Sequence, residues 1–374
     1  MTKEQQGVAR RDWVKYAGGA IAGLVIGGAA GYLAKPSGVA TTVTAPGGVP
    51  ATVTETATQT VSTTVSTVAS PLATIVAIFA DLNGSFTVPV KASVPDTSSL
   101  LNINMKITGV TGLDFKSMAD IFSATIAEKP DGIMIEEVDP SFFPLTKQAI
   151  SQGVPVVSCI VDDANSLTDP HPSGRLAYIG TDMRLLATMV AADILPQIQA
   201  LSPPKGAEVA IFLSRPGAPD EETRATGYKD VLEAAGFTCT EHMAGPSTVD
   251  QAEPLVESYL TSHPGVVGAL GVDGVASMGL AGAVRKLNLK GKVIAAGFDV
   301  TSDALAAVAD GTFYALANQQ PYICVPQAAL TLLAYKLSGG LIRPWNSATG
   351  AGVIDSTNAQ LFVQNASSKY VGAA

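Results

Sequence analysis

Charge is what this chain has least of: Asp, Glu, Lys and Arg make up 15% of its 374 residues, against roughly 25% in ordinary soluble proteins. What charge there is leans acidic, to a net −9, and no basic run occurs beyond the extreme N-terminus, which argues against a nucleic-acid partner. Cysteine is scarce too. Cys159, Cys239 and Cys324 form no CxxC pair and have no histidine at ligand spacing, so neither a disulfide framework nor a metal site is expected. His171, His242 and His263 have no identifiable Ser or Cys partner, and His263 precedes a proline as a helix stop. An enzyme needs a poised base, a nucleophile or a metal, so the chain is read as a non-enzyme without a cofactor.

Apolar residues, in contrast, make up 47% of the chain, enough for two cores of ordinary domain size. They are unevenly placed. Arg10, Arg11, Trp13, Val14 and Lys15 precede an uncharged, Gly- and Ala-rich run at 16–34, and roughly 20 such residues span a bilayer core as a helix. With the cations before the run, the positive-inside rule leaves the N-terminus in the cytoplasm and the bulk outside the cell membrane. The Arg-Arg-x-aromatic-aliphatic-Lys order resembles a twin-arginine export signal, with an ordinary anchor flanked by arginines as the alternative. No Cys follows to accept a lipid and the exit is a poor cleavage site, so residues 1–36 are read as an uncleaved export signal and anchor. Residues 37–71 are rich in Thr, Ser, Val and Ala, carry Glu55 as their one charge, and read as a stalk, glycosylated or bare.

From residue 73 short apolar runs alternate with amphipathic stretches. Strands are predicted at 74–79, 106–108, 132–135 and 155–161, with helices at 115–127 and 143–151 between them. Pro95 should kink the first helix or end it early. A second unit repeats the pattern: helix 185–195, strand 208–213, a polar loop at 214–223, helix 224–235, segment 237–242, helix 251–262, strand 265–270 and helix 276–287. Strand 293–296, a helix capped by Thr301 or Ser302, strand 312–317, helix 325–338 and a last strand at 361–363 complete it. Such alternation means doubly wound parallel sheets, whose ligands sit at the carboxyl ends of the strands.

Several of those strand ends carry a specific pattern. Gly297-Phe298-Asp299, with Thr301 and Asp303 following, leads through a helix to Asn318-Gln319-Gln320-Pro321; Arg224-x-x-Gly227-Tyr228 opens a helix; and Gly153-Val154-Pro155-Val156-Val157 leads to Asp162. These segments, with the crossover-like run 175–182, resemble the ribose/galactose branch of the type I periplasmic sugar-binding proteins over roughly residues 73–363. The resemblance implies an α/β fold of two doubly wound lobes joined by a multi-crossing hinge. Lobe 1 would comprise 72–182 plus 320–344, and lobe 2 would comprise 183–319 plus 345–366. It also implies an extracytoplasmic, monomeric receptor that binds a monosaccharide-like ligand by hinge closure and feeds an ABC transporter permease. A receptor of the same fold for a nucleoside or signalling molecule is the alternative. A repressor of the related class would need an N-terminal helix-turn-helix, where this chain has its apolar segment and stalk.

The ligand-binding residues so implied are Asn83, Phe86, Asp162, Arg224, Asp273, Asp299 and Gln319. Carboxylates accept from vicinal hydroxyls, the guanidinium fork donates, and a ring covers the C–H face of a sugar. Each has a plainer reading: the aspartates as helix caps, Arg224 as a partner of Asp220 or Glu221, and Phe86 as core. The first turn departs from the family's Asn-Pro-aromatic-aromatic pattern, with Asn83 one place early and Phe86 as its single aromatic.

Overall fold

In a parallel sheet covered on both faces nearly every strand residue is buried, which is why these strands read as unbroken apolar runs. The computed structural model describes residues 70–84, 86–162, 173–245 and 248–372. The expected anchor and nearly all of the expected stalk lie outside them. The first lobe runs through β1 (Thr74–Phe79), the helix Thr87–Leu101, β2 (Asn104–Gly109), the helix Phe115–Glu128, β3 (Gly132–Ile135), the helix Phe143–Ser151, β4 (Val156–Cys159) and β5 (Tyr178–Gly180). The second follows with the helix Met183–Ala200, β6 (Glu208–Leu213), the helix Pro219–Leu232, β7 (Thr238–Met243), the helix Val249–Ser262 and β8 (Val266–Gly271). The helix Gly274–Lys286, β9 (Ile294–Phe298), the helix Ser302–Ala309 and β10 (Ala315–Asn318) continue it. The helix Pro321–Leu337 returns to the first lobe, and β11 (Ser347–Ala348), β12 (Gly352–Asp355) and the helix Ala359–Gln364 follow.

The first sheet has the order β11-β5-β4-β3-β1-β2 and is parallel throughout. The second has the order β12-β10-β9-β8-β6-β7, parallel except where β12 runs against β10. Both lobes are thus doubly wound α/β units of the expected kind, and they lie within one compact body. The returning helix completes the first core by placing Cys324, Val325, Ala328, Ala329 and Leu332 against it. In the second lobe Leu280, Val284 and Phe313 fill one face of the sheet, while Leu186, Val190, Ile194 and Tyr228 fill the other. Gly227 makes that second face possible: a Cβ there would stand 2.4 Å from the carbonyl oxygen of Arg184, so only glycine lets the two helices approach this closely.

Three strands of chain cross between the lobes: Thr181–Asp182 after β5, Gln319–Gln320 after β10, and residues 349–351 between β11 and β12. The third differs from the sequence expectation, which assigns 345–366 to the second lobe; Ser347 and Ala348 pair with Ile179 and Gly180 in the first sheet. Other differences are local. The helix expected from Arg224 begins at Pro219, because proline presets the first-turn φ and Asp220, Glu221 and Glu222 complement the helix dipole. The stretch at 361–363 is helical, with Phe362 packed on the second core and Leu361 62% exposed. The first helix does not end early at Pro95 but runs through it to Leu101. The strand before Asp162 stops at Cys159.

Candidate functional site

The carboxyl ends of β1, β3 and β4 face those of β6, β8 and β9 across an open cavity of about 450 Å³. From the first lobe it is lined by Ala80, Asp81, Gly84, Phe86, Thr87, Leu113, Glu136, Val138, Ile160 and Val161. The second lobe contributes Arg215, Asp220, Arg224, Asp273, Asp299, Thr301, Asp303 and Gln319, with Val249, Val275 and Met278 toward the rim. The volume falls in the range of small-molecule sites, roughly 300–1,000 Å³.

Asp299 lines the cavity from the second lobe. It follows β9 at φ 71, a left-handed conformation that Asp tolerates better than most residues. Its Oδ1 accepts from Gln319 Nε2 at 2.5 Å and its Oδ2 from the Gly274 N–H at 3.0 Å. Asp299 is thus not the cap of its own following helix, a role Thr301 takes by accepting from the Ala304 N–H at 3.1 Å. Burial raises the Asp299 pKa, and Arg224 opposes that shift. Gly297 explains the local Gly-Phe-Asp pattern: a Cβ there would stand 2.9 Å from the Phe313 ring and 3.0 Å from Cβ of Ser277, whose hydroxyl receives the Phe298 N–H at 2.8 Å.

Arg224 stands over the Phe298 ring, its Cζ 4.5 Å from the centroid, and donates from Nη1 to the Val272 carbonyl at 2.9 Å. Its Nη2 stands 3.6 Å from Asp220 Oδ2, so the plainer ion-pair reading is met alongside a place on the cavity wall. Asp220 is also held by Arg215 at 3.1 Å, and Arg215 in turn pairs with Glu221 at 2.9 Å. Burial, reinforced by the charge of Asp273, pushes Glu221 up to about 7. Asp273 caps the helix Gly274–Lys286 by accepting from the Ala276 N–H at 2.7 Å while also lining the cavity. Phe86 likewise does two things, packing on the first core and facing the cavity.

Two of the residues singled out from sequence stand elsewhere. Asn83 is exposed on the turn after β1, with its N–H on Asp81 Oδ1 at 3.0 Å, and is not among the lining residues. Asp162 is fully buried, accepting from Arg175 Nε and Nη2 at 2.5 and 2.6 Å and from Ser158 Oγ at 2.6 Å. The cause is a tight turn at Ile160, whose φ is 65 and across which the Val161 N–H reaches the Cys159 carbonyl at 2.7 Å. That turn brings Ile160 and Val161 to the cavity and sends Asp162 beneath it. Arg175 also donates to Asn346 Oδ1 at 2.8 Å, so the Asp162 pair braces the start of the third crossing.

The sequence reading missed Glu136, Arg215 and Asp220 as wall residues. Glu136 directly follows β3, so the strand-end rule that selected Asp273 and Asp299 applied to it as well. Arg215 and Asp220 lay in a run taken for a loop. Three lining residues carry a buried polar atom without a protein partner: Asp220 Oδ1, Arg224 Nε and Gln319 Oε1. Among the described residues no group of three or more His, Cys, Asp or Glu is placed to hold a metal.

Residues 75–340 match the sequence profile of the periplasmic binding protein domain. The chain belongs to that family, in the ribose/galactose branch of its type I members. A xylose/arabinose-binding protein, XylF, of Sulfolobus acidocaldarius is 28% identical over 77% of this chain and 71% of its own length. A D-ribose/D-allose-binding protein of Pseudomonas aeruginosa is 24% identical over 64% and 69%. Among solved structures, the glucose-galactose binding protein GanP of Geobacillus stearothermophilus superposes with a TM-score of 0.68 at 21% identity, covering 78% of this chain and 99% of that one. The family is one of binding proteins, not enzymes, and it works outside the cytoplasm. No helix among the described residues is long and apolar enough to cross a membrane.

Proposed function

We propose that this protein is the receptor of an ABC importer, binding a monosaccharide in the cleft between its lobes and closing on it about the three crossings. The observation that carries the reading is the set of unpartnered buried atoms on the cleft wall, Asp220 Oδ1, Arg224 Nε and Gln319 Oε1. A buried polar atom without a partner costs roughly 1–3 kcal/mol, and a polyol ligand offers both the donors and the acceptor these atoms need. Asp299 and Asp273 add acceptors beside them, and Phe86 supplies the ring for an apolar sugar face. It is the one aromatic among the described lining residues, which disfavours a stacked nucleobase. The relatives' names point to pentoses first. The N-terminal apolar segment would hold this monomeric receptor at the outer membrane face beside its permease.

Thermal shift of the full-length protein against xylose, arabinose, ribose, glucose, galactose and nucleosides tests this, because a ligand that binds only the folded state raises its melting temperature. A rise with a sugar and none with nucleosides is expected. A rise confined to nucleosides, or none at all, overturns the assignment.

A further inference from the structure

The two walls of the cleft differ in kind. On the second lobe, charged and amide side chains stand close together, from Arg215 and Asp220 to Asp299 and Gln319. On the first lobe Phe86, Leu113, Val138, Ile160 and Val161 make an apolar stretch, with Asp81, Thr87 and Glu136 beside it. Asp81 Oδ1 accepts from the N–H groups of Asn83 and Gly112 at 3.0 and 3.2 Å, and the Thr87 hydroxyl donates to the Asp81 carbonyl at 2.5 Å. Glu136 differs. Its Oε2 accepts from the Ala80 N–H at 2.8 Å, and Oε1 is not among the buried atoms left without a partner. The residue lines the cavity while remaining only 7% exposed.

Resting on the sugar-receptor reading, we propose that Glu136 is a specificity-determining residue of the first lobe, donating one hydrogen bond to the ligand while the apolar stretch of Leu113, Val138, Ile160 and Val161 covers an oxygen-poor face. The ligand class that fits is an aldopentose or a 6-deoxyhexose, whose hydroxyls can be gathered toward the second lobe. A hexose would press its hydroxymethyl oxygen against aliphatic side chains that offer it no partner. A donor carboxyl must be protonated, and burial, with the Asp220 charge across the cleft adding to it, pushes Glu136 up to about 7. The other groups that face it are Arg215 across the cleft, Asp81 on the neighbouring turn, and Cys159 and Cys324 behind it. Both thiols are pushed upward by burial and stay neutral, so Arg215 is the one cation that opposes protonation.

Calorimetry on the full-length protein separates the parts. Two configuration-matched series serve as probes: L-arabinose, D-fucose and D-galactose, and D-xylose, 6-deoxy-D-glucose and D-glucose. In the series that binds, the hydroxymethyl member should be weaker than the methyl member by about tenfold or more. Affinity of the pentose should fall as pH rises through about 7, the value to which Glu136 is raised. Glu136→Gln, which keeps a donor and an acceptor, should hold affinity within about threefold and markedly flatten the pH dependence, leaving at most what Glu221 contributes through Arg215, whereas Glu136→Leu should lose about tenfold or more. Equal binding of methyl and hydroxymethyl members, a wild-type profile flat in pH, or equal losses in the Gln and Leu variants overturns the inference while leaving the receptor reading intact. Failure of every sugar to bind the wild-type protein overturns both.

Discussion

The Thr181 hydroxyl donates to the Gln319 carbonyl at 2.7 Å, joining the first crossing between the lobes to the second. Gln319 is the residue whose side chain holds Asp299, so the second crossing and the cavity wall share one residue. Thr349, on the third crossing, lies 3.5 Å from the same hydroxyl and receives Cys324 Sγ at 3.5 Å. The crossings are therefore connected side by side by small polar groups.

Thr181→Val keeps the shape and removes the donor, leaving a buried carbonyl unpaired. A loss of about 1–3 kcal/mol in urea denaturation is expected, with weaker ligand binding because Gln319 loses its anchor. Unchanged stability and affinity would show that the contact does not matter to the hinge.

Asp299, proposed above to contact ligand, also holds Gln319 and Gly274. Asp299→Ala removes both acceptors at a left-handed position, at a cost of about 1–3 kcal/mol in stability, while Asn tolerates the backbone and keeps an oxygen. Asp299→Asn should melt close to the wild-type protein yet bind sugar at least about tenfold more weakly, since charge-assisted bonds become neutral ones. Calorimetry beside a melting curve checks this; full affinity in the Asn variant removes Asp299 from the ligand set.

Acidity should stabilise the empty receptor. Glu136 and Glu221 are raised from 4.5 to about 7, so as pH climbs through that interval the unfolded chain loses its protons first. Their contribution to stability is full below about 4.5, declines up to about 7 and is gone above it. Carboxylates held low, such as Asp310, act in the opposite sense below their ordinary 3.8, and His242, held below 6.5 chiefly by burial, opposes the trend as pH falls below that value. Ligand-free melting temperatures at about pH 5, 6, 7 and 8 should fall in that order up to 7, with a shallower slope in Glu136→Gln. A flat profile contradicts the assignment.

The C-terminal segment touches both lobes. Phe362 and Val371 pack on the second core, while Lys369 pairs with Asp96 at 2.5 Å and Tyr370 meets Tyr322 edge-on with ring centroids 4.8 Å apart. Tyr322 also donates to Asp96. Removing residues from 367 onward should leave both lobes folded but widen the ligand-free particle in small-angle scattering and weaken binding. An unchanged profile and affinity would make the segment a passive tail.

The architecture was legible in the sequence because apolar runs and strand-end punctuation are local signals. Gly297 to Asp299 and Arg224 to Tyr228 could be read for the same reason: each motif's glycine answers a close approach that no other residue permits. What escaped reading depended on direction. Nothing local in the run from Val156 tells that the chain turns at Ile160 and carries Asp162 under the floor instead of into the cleft. Glu136 obeyed the same rule as Asp299 but had no resemblance to point it out. Pairing of two residues, Ser347 and Ala348, with a strand more than 160 positions earlier is a long-range choice that no window along the chain contains.

That pairing has a consequence for how the protein comes to be. The first lobe begins at β1, but its core waits for Cys324 to Leu332 and its sheet for Ser347 and Ala348. The second sheet likewise waits for Gly352 to Asp355. As the chain emerges from the ribosome, neither half can reach its native state until almost all of it has been synthesised. Such late closure of distant contacts slows folding and leaves apolar strands uncovered in the meantime. A nascent chain halted near residue 320 should therefore remain protease-sensitive throughout, whereas one released past residue 355 should acquire resistance in both lobes together.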